Sequence, residues 1–80
     1  MDDNLKNKIR EMVDSVMKID ITALDPDKKF NAISEWDSFN NLMLISKFQD
    51  EFGIEFTALE IENTQKVKDL FSLLEKKVKL

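Results

Sequence analysis

Asp37-Ser38, flanked by Trp36 and Phe39 near the middle of the chain, is the pair of side chains best placed to do chemistry. A serine hydroxyl can attack an electrophile or receive a covalent group, and a neighbouring carboxylate can cap a helix or orient a partner. The dipeptide alone says little, because at average usage it occurs by chance in roughly one chain in three of this length. Position is what distinguishes it. It opens the most clearly patterned helix in the chain, follows a long unpatterned connection, and lies in the most acidic third.

Other constellations fail. Asp25-Pro26-Asp27 starts like an EF-hand loop, but the places that need an Asp or Asn, a glycine and a glutamate hold Lys29, Phe30 and Trp36. Asp50 and Glu51 are sequence neighbours and splay about 100° apart on a helix, so they cannot act as a carboxylate pair. With no cysteine and no histidine, thiol nucleophiles, imidazole bases and the commonest metal ligands are all missing. A single glycine rules out a glycine-rich phosphate loop. The expectation is a protein with no metal site that is not an enzyme.

The composition narrows the class. Eighty residues fit one domain spanning 1–80, near the lower size limit for a core without staples. A formal charge of −4 is ill suited to gripping phosphate backbones, so nucleic acid is not an expected partner. The longest apolar run, Leu42-Met43-Leu44-Ile45, is far too short to span a membrane, and Met1-Asp2-Asp3-Asn4 does not open a secretory signal. These readings predict a soluble, cytoplasmic, acidic protein.

Four elements must position Ser38. Leu5, Ile9, Met12, Val13 and Val16 share one helical face, predicting a helix from about residue 3 to about 18, capped by Asp2, Asp3 or Asn4. Residues 19–37 keep no period, and Ile21, Leu24, Phe30 and Ile33 are expected to pin this connection. Within it, Asp25-Pro26 reads as a cap followed by proline at a first helical position. A second helix is read from Phe39, Leu42, Ile45, Phe48 and Phe52, with Asp37 or Ser38 at its cap and Gly53 as its left-handed stop. Ile54 is then placed to pack back on Phe48. On this reading Trp36 and Phe39 are core residues.

Thr57-Ala58-Leu59-Glu60 is a capping box opening a short helix that stops near Asn63-Thr64. A last helix presents Val67, Leu70, Phe71, Leu74 and Val78, with Lys76, Lys77 and Lys79 at its negative end. The fold class is therefore all-α: a small four-helix bundle, three helices long and the third short, with a long first loop.

Charge is uneven. Residues 35–62 hold Glu35, Asp37, Asp50, Glu51, Glu55, Glu60 and Glu62 against Lys47, a net of −6, whereas residues 63–80 carry +3. The acidic middle could steer a basic partner, or it is the solvated face that any amphipathic helix needs. An unmodified helical adaptor with an acidic docking face is thus one reading of this chain.

Taken together, these residues resemble the acyl carrier protein family, whose members carry a 4′-phosphopantetheine arm on the serine of an Asp-Ser-Leu motif. The motif stands here as Asp37-Ser38-Phe39, and its helix ends in Asp50-Glu51-Phe52-Gly53-Ile54, close to the family's acidic-acidic-Phe ending. A short third helix and a fourth bearing Val67 follow, so the resemblance covers essentially the whole chain. It implies a monomeric carrier with covalent 4′-phosphopantetheine on Ser38. Acyl or aminoacyl groups would ride on the arm's thiol as thioesters. The implied partners are a phosphopantetheinyl transferase and acyl-transferring, ligase or synthase enzymes with basic docking patches. Asp37, Phe39 and Met43 would touch those partners.

The site's physics agrees with the resemblance. A helix N-terminus offers unpaired amides and a positive dipole end to the anion that a phosphodiester on Ser38 would introduce.

Departures from the family pattern bear on the pathway. Phe39 replaces the usual leucine, and Asn40 and Met43 stand where fatty-acid carriers have docking acids. Those departures favour a dedicated pathway (polyketide, modified sugar, aminoacyl or unusual lipid) over housekeeping fatty-acid synthesis. The phenylalanines at 48, 52, 56 and 71 leave little room for an acyl chain between helices, which predicts little thermal stabilisation by a long one.

Overall fold

The computed structural model describes residues 2–78, and among them four α-helices account for all the long regular structure. They are α1 (Asp3–Met17), α2 (Ser38–Phe52), α3 (Ala58–Asn63) and α4 (Val67–Val78). Their lengths, 15, 15, 6 and 12 residues, give the expected all-α order of three long helices and a short third one.

Local chemistry sets the helix ends. Asp2 caps α1, its carboxylate accepting the amide of Asn4 at 3.2 Å. Thr57 and Glu60 complete the capping box of α3 in both directions, at 3.1 and 2.9 Å. Gly53 terminates α2 with φ at 64°, and the amide of Ile54 reaches back to the Gln49 carbonyl at 3.2 Å. Lys18 ends α1 in the same left-handed region at φ 59°, a conformation a non-glycine residue rarely takes. Lys76 and Lys77 occupy the last turn of α4, and Lys79, expected beside them, lies outside the described residues.

The first connection is ordered by its apolar residues, as expected. Ile21, Phe30 and Ile33 are buried, and Leu24 packs against the core. Two short 3-10 turns, Ile21–Ala23 and Phe30–Ala32, add structure that no periodicity announces. Asp25-Pro26 starts no helix. The Asp25 carboxylate accepts the amide of Asp27 at 2.9 Å and its carbonyl accepts that of Lys28, closing a turn. The segment is then stitched to the start of α4 by three backbone bonds: Phe30 to Gln65, Val67 to Lys28 and Lys68 to Pro26.

The core joins Ile9, Val13 and Met17 of α1 to Leu44 and Phe48 of α2 and to Val67, Leu70 and Leu74 of α4. The face of α2 differs from the sequence reading. Phe39 and Leu42 are 71% and 61% exposed, while Leu44 and Phe48 are sealed. A strict three-residue repeat loses about 60° per step on an α-helix, which puts positions 39 and 48 on opposite sides. The core face instead follows positions 41, 44, 45, 48 and 52, and Phe39 is not a core residue.

Lysine clamps close the surface. Lys77 reaches from α4 to Glu60 at 2.7 Å and to the Glu55 carbonyl at 2.8 Å, which ties the entrance of α3 to the last helix. The hydrogen bond from Lys77 holds the Glu60 carboxyl below the usual glutamate range, aided by the Thr57 amide. Lys8–Glu51 and Lys68–Asp27 are exposed ion pairs, which water and salt screen.

Candidate functional site

Ser38 is the first residue of α2 and is exposed. Asp37 is the N-cap, its Oδ1 accepting the Asn40 amide at 2.8 Å while its carbonyl accepts the Asn41 amide at 2.9 Å. The cap side chain therefore satisfies one of the four orphan amides, that of Asn40, and the cap carbonyl accepts the first regular helical bond. Among the described residues the amides of Ser38 and Phe39 meet no acceptor, and the Ser38 hydroxyl makes no hydrogen bond. A free nucleophilic oxygen thus stands at the positive end of a 15-residue helix dipole.

The approach to Ser38 is held rigidly. Trp36, only 8% exposed, stacks on Phe30 with ring centroids 4.1 Å apart and planes 15° from parallel. Its indole Nε1–H donates to Asn41 Oδ1 at 2.9 Å, and the Trp36 amide donates to the Ile33 carbonyl at 3.0 Å. Asn40 Nδ2 reaches back to the Glu35 carbonyl at 3.0 Å. Side chains before and after Ser38 are therefore tied together, and the residue between them has little freedom to drift. Sequence reasoning placed Trp36 in the core but missed Asn41. The available signal was its phase, since position 41 shares a face with 44, 45 and 48.

Outside this frame lies an apolar surface. Phe39, Leu42 and Met43 (37% exposed) project from the first turns of α2, and Leu59 of α3 is 65% exposed. No acid stands in the first turn of α2. Of the later acids, Glu51 and Glu60 are already engaged by Lys8 and Lys77. The structure thus brings Asp37 and Ser38 together at the helix start, with Phe39 and Met43 exposed on the turns that follow.

The model of a family described as a phosphopantetheine attachment site matches residues 7–74. The chain belongs to the acyl carrier protein family. Acyl carrier proteins from Solidesulfovibrio magneticus and Akkermansia muciniphila are 31% and 27% identical to it, covering 92% and 94% of this chain and 95% and 94% of theirs. The crystal structure of the Thermotoga maritima acyl carrier protein superimposes with a TM-score of 0.71 at 31% identity, over 95% of this chain and 88% of that one. Family membership makes the protein a carrier rather than an enzyme, with a covalently attached 4′-phosphopantetheine group. Its partner classes follow: a phosphopantetheinyl transferase and acyl-handling enzymes. No helix among the described residues is long and apolar enough to cross a membrane.

The residues present fit that prosthetic group. An exposed hydroxyl with no internal partner is available for esterification, and two unpaired amides favour an anion beside it. When bound, the group supplies a thiol that this chain lacks.

The cap itself is testable. Asp37→Ala removes the acceptor for the Asn40 amide and should cost about 1 kcal/mol, a fall in Tm of roughly 4–8 °C. Asp37→Asn keeps a capping oxygen and should retain most of that stability in the same thermal melt.

Proposed function

We propose that Ser38 is the attachment residue of the 4′-phosphopantetheine arm and that residues 1–80 act as one carrier domain. The observation that carries this reading is the unengaged Ser38 hydroxyl at the first position of α2, within a chain of a phosphopantetheine-bearing family. Around it, Asp37 holds the helix start, and Trp36 and Asn41 fix its approach. The arm swings from a rigid anchor, and the anion at its base sits where the helix dipole is favourable.

The surface beside Ser38 supports a dedicated pathway rather than housekeeping fatty-acid synthesis. A partner that docks by charge alone would find no acid on the first turn of α2. It would find Phe39, Leu42 and Met43. Partners of this carrier therefore present an apolar patch to the helix start, with basic groups reserved for the late acids such as Asp50 and Glu62.

Incubation with coenzyme A and a promiscuous phosphopantetheinyl transferase tests the attachment. The intact protein should gain one arm's mass, and fragment masses should map it to the peptide holding Ser38. A folded protein that gains no mass with several transferases would overturn the reading.

A further inference from the structure

Where the first connection meets the start of α4, Lys29 stands directly opposite Lys66 in antiparallel register. The flanking bonds run from the Phe30 amide to the Gln65 carbonyl at 2.9 Å and from the Val67 amide to the Lys28 carbonyl at 3.0 Å. That pattern makes Lys29 and Lys66 a cross-strand pair with no backbone bond of its own. Such residues send both side chains to one face, with Cβ atoms about 4.5–5.5 Å apart. Like charges so placed repel, and the backbone holds them there. The nearby acids are engaged elsewhere. Asp27 pairs with Lys68 at 2.7 Å, which lowers its carboxyl pKa ahead of the weaker pull of the more distant Lys66 charge. Asp69 Oδ2 accepts the amides of Gln65 and Lys66 at 3.2 and 3.0 Å, and Asp25 accepts the Asp27 amide at 2.9 Å. Lys29 and Lys66 therefore have no carboxylate partner among the described residues.

At Lys29 the surface dips into a depression of about 210 Å³, lined further by Phe30, Asn31, Thr64 and Gln65. No acid lines it, and the Asn31 side chain meets no partner among the described residues. We infer that the Lys29–Lys66 pair docks an acidic segment of a protein partner. Carboxylates one helical turn apart in such a segment have Cβ atoms about 5–6 Å apart, which matches the spacing of the two lysines. A small free anion is repelled by a chain of net charge −4, whereas a docked partner brings its own attraction. Residues 35–62 carry −6 and call for basic groups on that partner. Phe30, stacked on Trp36, joins the lysine pair to the start of this acidic stretch. A contact of opposite sign next to it fixes the partner's orientation, because a rotated approach sets like charges together. The inference goes beyond the attachment reading and does not depend on which serine bears the arm.

The full chain, without the arm, is titrated with a hexaglutamate peptide at low salt while its backbone amide resonances are followed. Saturable shifts should centre on residues 28–31 and 64–67 and fade as salt is raised to about 0.5 M. Lys29→Gln combined with Lys66→Gln should weaken binding at least about tenfold. Lys6→Gln combined with Lys47→Gln removes the same charge elsewhere and should weaken it less than about threefold. Lys29→Glu supplies a second readout, since it replaces a repelling pair by an attracting one. That variant should melt at least about 1 °C above the parent, yet bind the peptide no better than the double glutamine variant. Shifts spread over all the lysines, or a control pair that costs as much binding, overturn the inference. Inorganic phosphate that reproduces the shifts at the peptide's concentration marks a small-anion site and overturns it too. A Lys29→Glu chain no more stable than the parent shows that the two charges do not meet, with the same result.

Discussion

Ser38→Ala is expected to fold like the parent and to take up no phosphopantetheine arm at all. The first half of that expectation follows from where the hydroxyl sits. Ser38 is exposed at the first position of α2 and its hydroxyl bonds to no other described residue, so removing that hydroxyl strands no partner. Alanine is the best helix former, and the cap is provided by Asp37, not by Ser38. The stability change should stay within about 0.5 kcal/mol. Loss of modification therefore cannot be blamed on unfolding. The second half follows from the alternatives. Ser34 already donates its hydroxyl to Glu35 at 3.0 Å, Ser15 to the Met12 carbonyl at 2.7 Å, and Ser46 and Ser72 lie inside α2 and α4, away from any helix start. Ser34→Ala and Ser46→Ala should accept the arm at the parent rate, measured by intact mass over time. Modification that persists in Ser38→Ala would remove the site assignment while leaving family membership untouched.

The helices and their ends were legible because caps are local. Asp2, the Thr57–Glu60 box and the left-handed Gly53 each act within a few residues, and all stand where the sequence places them. The face of α1 was legible too, since Leu5, Ile9, Met12, Val13 and Val16 follow the 3.6-residue period, and all of them are buried or packed against the core. The connection between α1 and α2 was less so. Its order depends on backbone bonds to Gln65, Lys66's neighbours and the start of α4, roughly forty residues away, and no local pattern encodes those. At the site, Ser38 and its cap could be read from position. The Trp36–Asn41 bond could not, because it joins the unpatterned connection to α2 across a pairing that no helical period announces.

The sharpest consequence of the misphased α2 reading is a contrast between two phenylalanines on that helix. Phe48→Ala should lose about 3–5 kcal/mol, because its ring is fully buried and packs in the same cluster as Ile9, Val13 and Leu74. An 80-residue domain has about 4–12 kcal/mol in total, so this one change removes a large part of it. The Tm should fall by more than about 12 °C, and the variant will be partly unfolded near physiological temperature in the less stable half of that range. Phe39→Ala, nine residues earlier, should melt within a few degrees of the parent, since its ring is 71% exposed. What it should lose is docking. An exposed aromatic ring beside the attachment residue is the kind of anchor whose truncation costs about 1–2 kcal/mol of binding, a five- to thirtyfold fall in kcat/KM for loading by the transferase. Melting curves and loading kinetics on the two variants thus separate a core residue from a partner contact. If Phe39→Ala melted as low as Phe48→Ala, the face of α2 would have to be redrawn toward Phe39 and Leu42, and the apolar docking surface would vanish with it.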